Sequence, residues 1–143
     1  MRALLLFLLT AATVVMARPL AHMAENNVQV AMIEVSRASQ HTEVRLETRA
    51  ALKGVCWSFE GSNSPYLISE GRRYRFIGGE HISNCPQKQD YASYEIMILR
   101  FQPLPANVRE FSLVEGEGGE NQMIEPTARR NQTFWNFLRV RLD

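Results

Sequence analysis

Neither sign of charge is in excess in this chain. Sixteen basic residues stand against 15 acidic ones, a net charge of +1 over 143 residues. Electrostatic capture of nucleic acid needs a basic surplus gathered on one face, so a nucleic-acid partner is not expected. No run of like charge forms a tail. Cysteine is nearly missing, with only Cys56 and Cys85 present. Their spacing is not that of a CxxC redox site, and with three scattered histidines they make a poor zinc site, which wants four ligands. The signatures of common chemistries are missing too: no GxSxG elbow, no HExxH and no phosphate-binding glycine loop. Ser58 and Ser69 have no neighbours in sequence that would activate them. Glu60, Glu70 and Glu80 could be nominated as glycosidase carboxylates only by selection from many acids. No cofactor is expected, and the chain reads as non-enzymatic.

The one long apolar run is at the start. Met1-Arg2 gives a short positive region, Ala3 to Val15 is apolar with mild breaks at Thr10 and Thr13, and Val15-Met16-Ala17 suits a signal peptidase. Residues 1–17 therefore read as a secretory leader, too short to span a bilayer well. No cysteine follows it to take a lipid, so the expected product is exported, periplasmic or secreted, not lipid-anchored and without a membrane span. Residues 18–27 read as a flexible arm and 28–143 as a single domain, a size that can build a real core. In an exported chain the pair Cys56 and Cys85 is expected to form a disulfide. Two free thiols are the alternative.

Period-two patterning runs through the domain. Val28–Val35 alternates, and Thr42–Leu52 sets Val44, Leu46, Thr48, Ala50 and Leu52 against Glu43, Arg45, Glu47 and Arg49. Further strands are predicted over 55–59, 66–68, 73–77, 94–101, 110–115 and 135–142. Gly71 is expected to supply a positive φ in a hairpin turn, and Gly78-Gly79 is expected to end that hairpin. Residues 83–92 and 116–133 read as loops. Pro103 and Pro105 are expected to stop a central strand apolar on both faces. The predicted core is Val44, Leu46, Ala50, Leu52, Ile96, Ile98, Leu113, Leu138 and Val140. With no convincing amphipathic helix, the class is all-β, an antiparallel immunoglobulin-like β-sandwich of seven or eight strands.

Several short motifs then fall in a recognisable order: Tyr66-Leu67, Gly71-Arg72-Arg73-Tyr74, Gly79-Glu80-His81-Ile82, Phe101-Gln102-Pro103-Leu104-Pro105 and Phe111-Ser112-Leu113-Val114-Glu115-Gly116. Over 42–142 the chain resembles an exported β-sandwich domain of Gram-negative bacteria that carries FxPLP and FDxIEG-like motifs. That domain often stands N-terminal to thioredoxin-like or other catalytic domains. Ser112 replaces the family's Asp, His81 replaces a Gly, and 116–133 resembles an insertion. The resemblance implies a fold and a compartment, and no reaction.

Candidate sites follow from residue type. Trp57, Tyr66, Tyr74 and Phe76 could present an aromatic face to a sugar or peptide, or could pack in the core. Glu115, Glu117 and Glu120 are weak calcium candidates on a Gly-rich segment without EF-hand spacing. His22, His41 and His81 flank strands or lie in the arm. Asn131-Gln132-Thr133 is a glycosylation sequon only in a eukaryotic secretory route. The expected function is an exported, non-catalytic accessory or binding module, with an envelope protein or a glycan as partner. The alternatives are a thiol-redox accessory or enzyme using Cys56 and Cys85, and a secreted hydrolase inhibitor presenting the 116–133 loop.

Overall fold

The computed structural model describes residues 13–15, 29–124 and 134–142. The fold is all-β and antiparallel. Among these residues ten strands and one helix follow in the order β1 (Thr13–Val15), β2 (Val30–Arg37), β3 (Thr42–Thr48), β4 (Leu52–Val55), β5 (Tyr66–Ser69), β6 (Arg72–Glu80), β7 (Gln89–Tyr91), β8 (Ile96–Phe101), β9 (Glu110–Val114), α1 (Gly116–Ile124) and β10 (Phe137–Arg141). Eight strands form one sheet in the order β1-β2-β3-β8-β6-β5-β9-β10, and β4 pairs with β7 in a second.

The large sheet turns over on itself at β6. Its first half pairs with β5, from Tyr66 opposite Arg75 to Ser69 opposite Arg72. Its second half pairs with β8, and the register shifts between Phe76 and Gly78. A bulge of this kind adds twist and bends the strand. Side chains from both halves then share one core: Val30, Val35, Val44 and Leu46 from one, Leu67, Phe111, Leu113, Phe137 and Val140 from the other. The two layers are thus continuous through one strand. The β5–β6 hairpin closes on Glu70 and Gly71, both at positive φ (51° and 76°), the pattern that suits strand twist in a two-residue turn.

On β3 the alternation is what the sequence implies, with Thr42, Val44, Leu46 and Thr48 buried. The outer face carries an ion-pair ladder: Arg45 lies 3.6 Å from Glu34 and 3.2 Å from Glu43, and Arg100 lies 3.1 Å from Glu43 and 3.2 Å from Glu80. Four strands contribute to it.

Several expectations are corrected. The Thr42–Leu52 run is two strands, not one. Thr48 Oγ1 donates to the Ala92 carbonyl at 2.6 Å and accepts from the Glu95 amide at 2.9 Å, and the chain turns there. Ala50 is therefore exposed, while Leu52 is buried beneath the second sheet. On β8 it is Met97, Leu99 and Phe101 that are buried, and Ile96 and Ile98 are half-buried on the outer face, where Ile98 pairs with Arg45. In β10 a register shift between Phe137 and Val140, with Arg139 at φ 53°, makes Phe137 the core residue and leaves Leu138 half-buried. β6 continues through Gly78-Gly79 because β8 pairs with it there. The 55–59 strand is reduced to a bridge between Trp57 and Asn84, and the 83–92 loop holds β7.

The largest correction is α1, where a loop was expected. Gly118 and Gly119 are required by close approach: a Cβ would lie 2.5 Å from the Phe134 ring and 2.5 Å from Asn136 Oδ1. Packing, not intrinsic propensity, holds this helix. Residues 125–133, with the sequon and the rest of the expected loop, lie outside the described residues, as do the expected arm and most of the expected leader. β1 falls within the segment expected to be a leader and pairs with the outer edge of β2, Thr13 opposite Arg37.

Candidate functional site

The detour of the chain after β3 builds a cleft. The Arg49 amide donates to the Gln29 carbonyl at 2.7 Å, so the start of β2 and the β3–β4 turn are joined. β4 then runs off the main sheet against β7, Leu52 opposite Tyr91. Opposite β4 stand Glu115, after β9, and Trp135, before β10. Between these walls lies a cleft of about 400 Å³, lined by Gln29, Ala51 to Cys56, Glu115 and Trp135. Its floor is apolar, from Leu52 and Trp135, and Lys53 stands exposed among its lining residues.

Trp135 and Asn136 fix the position of Glu115. The Trp135 amide donates to Glu115 Oε2 at 2.6 Å, and the Glu115 amide donates to Asn136 Oδ1 at 3.0 Å. Asn136 Nδ2 then donates to the Gly119 carbonyl at 2.9 Å, tying the first turns of α1 to the same residue. Burial pushes the Glu115 carboxyl up to about 7, against the opposing effect of the Trp135 amide. A carboxylate with one donor in a partly dry site is held back from ionising.

The expected disulfide is formed. Cys56 and Cys85 are bridged with Cα atoms 5.0 Å apart, inside the range a bridge allows. The Trp57 amide donates to the Ser83 carbonyl and the Cys85 amide to the Trp57 carbonyl, both at 2.9 Å, so the loop is fastened by hydrogen bonds as well. Cys56 lines the cleft.

The aromatic candidates are not a surface. Trp57, Tyr66, Tyr74 and Phe76 are all buried. Trp57 meets Trp135 edge-on at 5.4 Å, and Phe76 packs between Phe59 and Phe101. The Tyr66 hydroxyl donates to Glu120 Oε2 at 2.5 Å, and Arg73 pairs with the same oxygen at 2.7 Å while lying over the Tyr66 ring. Burial and that carboxylate hold the Tyr66 phenol well above its ordinary range. The calcium candidates are likewise separated: Glu115 faces the cleft, Glu120 is engaged by Tyr66 and Arg73, and Glu117 is exposed. Among the described residues no group of three His, Cys, Asp or Glu is arranged to hold a metal.

A second cluster gives His81 a setting that its place in the sequence does not reveal. His81 sits at φ 55°, with Nε2 3.3 Å from Glu95 Oε1 and Nδ1 3.0 Å from Gln89 Nε2. Because the amide nitrogen can only donate, Nδ1 accepts and Nε2 carries the proton toward Glu95. Ser83 Oγ donates to Gln89 Oε1 at 3.0 Å. The serine therefore bonds the glutamine and not the imidazole, which is not the arrangement of a nucleophile with its base. His41 is a half-buried strand-end residue, and His22 lies outside the described residues.

Sequence reasoning offered Glu115 only as a weak calcium candidate and missed its place in a cleft. The only signal was an acid directly after an apolar strand. No protein-family model, curated protein or solved structure matches this chain.

Proposed function

We propose that the chain is an exported, non-catalytic binding module whose recognition site is the cleft between β4 and the Glu115–Trp135 wall. The observation that carries this is the cleft itself, a concave site with an apolar floor and one fixed, half-buried carboxylate. Recognition sites combine these features, many apolar contacts and few placed polar groups. Export is supported by the leader-like start and by a disulfide that persists best in an oxidising compartment. Among the described residues no helix is long and apolar enough to cross a membrane. The resemblance to exported β-sandwich domains points the same way.

The thiol-redox alternative draws on one observation, that Cys56 lines the cleft. A stable, unreactive disulfide in native protein would disfavour it. The inhibitor reading loses the first part of its 116–133 segment to α1, and residues 125–133 lie outside the described residues.

The test is to probe the disulfide-intact protein against peptide and glycan arrays beside Ala51→Trp, which fills the cleft from an exposed position. Binding to one ligand class that the substitution abolishes is expected. Equal binding by both proteins, or none by either, would contradict the assignment.

A further inference from the structure

We propose that the cleft takes a cation: a ligand with an apolar body ending in a protonated amine or guanidinium that docks on the Glu115 carboxylate. This rests on the reading of the cleft as the recognition site and adds its ligand class.

Glu34, Glu43, Glu47, Glu80, Glu110 and Glu120 each lie within 4 Å of an arginine, and Glu95 of His81. Glu60, Glu70 and Glu117 have no such partner but are exposed to water. Among the described glutamates Glu115 is the half-buried one that has no cationic partner among the described residues. It receives one hydrogen bond, from the Trp135 amide to Oε2. A carboxylate offers about four acceptor positions, so most of its capacity is unused.

A charge half-buried in this way is costly unless paired. An incoming ammonium or guanidinium supplies both the charge and the missing donors. The neighbouring surface suits what such a group would be attached to. Leu52, Val55 and Trp135 form an apolar wall beside the carboxylate, and about 400 Å³ accommodates a chain of several carbons. A hard metal ion is a poor occupant, because it wants six or more oxygens and one carboxylate is present. An anion would meet the Glu115 carboxylate, with the exposed Lys53 as the one cationic side chain among the described lining residues to offset it.

The experiment is isothermal titration of the full, disulfide-intact chain, above neutral pH, with three ligands of one length: n-hexylamine, n-hexanol and n-hexanoate. Amide NMR shifts at Ala51, Leu52 and Trp135 report the place of binding. The amine is expected to bind in the cleft at least about tenfold more tightly than the alcohol, with hexanoate weaker still. Glu115→Gln should remove that preference while the rest of the spectrum is retained. Should that variant fail to fold, Ala51→Trp should block the amine by filling the site. Equal binding of amine and alcohol at the cleft would overturn the cation assignment and leave the cleft as an apolar site. Shifts confined to other surfaces, or no binding of any of the three, would overturn it as well, and the array experiment then decides whether the cleft binds anything.

Discussion

Glu115 and Arg37 show two ways in which a single charged side chain is placed inside this protein. Arg37 Nη1 donates to the Pro105 and Ala106 carbonyls at 3.3 and 3.1 Å, and Nη2 donates to the Val108 carbonyl. Its charge is spent on fastening the proline-containing exit from β8, which the Leu104 amide also holds by donating to Thr42 Oγ1 at 2.9 Å. Burial, and the nearby charge of Arg109, lower the Arg37 pKa without neutralising it. Arg37→Ala should destabilise by about 1–3 kcal/mol, because three carbonyls lose a donor. Urea denaturation measures this, and an unchanged midpoint would contradict it. Glu115 has the opposite balance. Its folded pKa is raised from 4.5 to about 7, so the native state holds a proton that the unfolded chain has released. Stability from this group is full below about 4.5 and is lost as pH rises to about 7, by something on the order of 3 kcal/mol. Glu115→Gln should flatten the stability curve over that window relative to the parent. Curves of equal slope would show that the carboxyl is not held up.

Strands were legible from the sequence wherever one face was wet. β3 could be read because Glu43, Arg45 and Glu47 alternate with residues that are fully buried. β8 was legible as a strand but not in its facing, since Ile96 and Ile98 are as apolar as Met97 and Leu99 and only the neighbouring ladder decides between them. Leu46→Ala, at a fully buried position, should cost about 2–5 kcal/mol, whereas Ile98→Ala on the half-buried face should cost distinctly less. Equal losses in thermal melts would mean the facing is wrong. α1 was not legible at all, because its glycines look like flexibility until Phe134 and Asn136 are seen against them. Gly119→Ala should destabilise by about 1–3 kcal/mol by pushing against Asn136. In an ordinary exposed helix the same change would stabilise, so the sign of the effect in a melting experiment is the check.

The molecule as a whole joins a folded-over sheet to a small second sheet, and the Cys56–Cys85 bridge ties the residue after β4 to the segment before β7. The bridge was foreseeable from two cysteines behind a leader-like segment. The cleft beside it was not, because Gln29, Leu52, Glu115 and Trp135 are far apart in sequence and come together only through the turn at Thr48 and the Asn136 contacts. Replacing both cysteines by serine should lower stability by roughly 3–4 kcal/mol by the chain-entropy model. A melting temperature indifferent to reduction would contradict a structural role. β1, within the segment expected to be a leader, pairs with the edge of β2. A chain beginning at Arg18 should fold with the same core, because β1 adds an edge strand. The edge it uncovers carries Glu34, Arg37 and a bulge between Met32 and Glu34, features that discourage edge-to-edge pairing. Circular dichroism and sedimentation of that shorter chain should show an intact, non-aggregating β protein.

The half-buried Glu115 carboxylate, with no cationic partner among the described residues, is central to both the site and its proposed ligand, and its titration can be followed directly. Carbon-detected NMR of the Glu115 side-chain carboxyl in the disulfide-intact protein should give a midpoint near 7, and saturating n-hexylamine should move that midpoint down, because the cation favours the ionised form. A midpoint at the ordinary 4.5, or one that n-hexylamine leaves in place, would contradict the assignment of the cleft as a cation-recognition site.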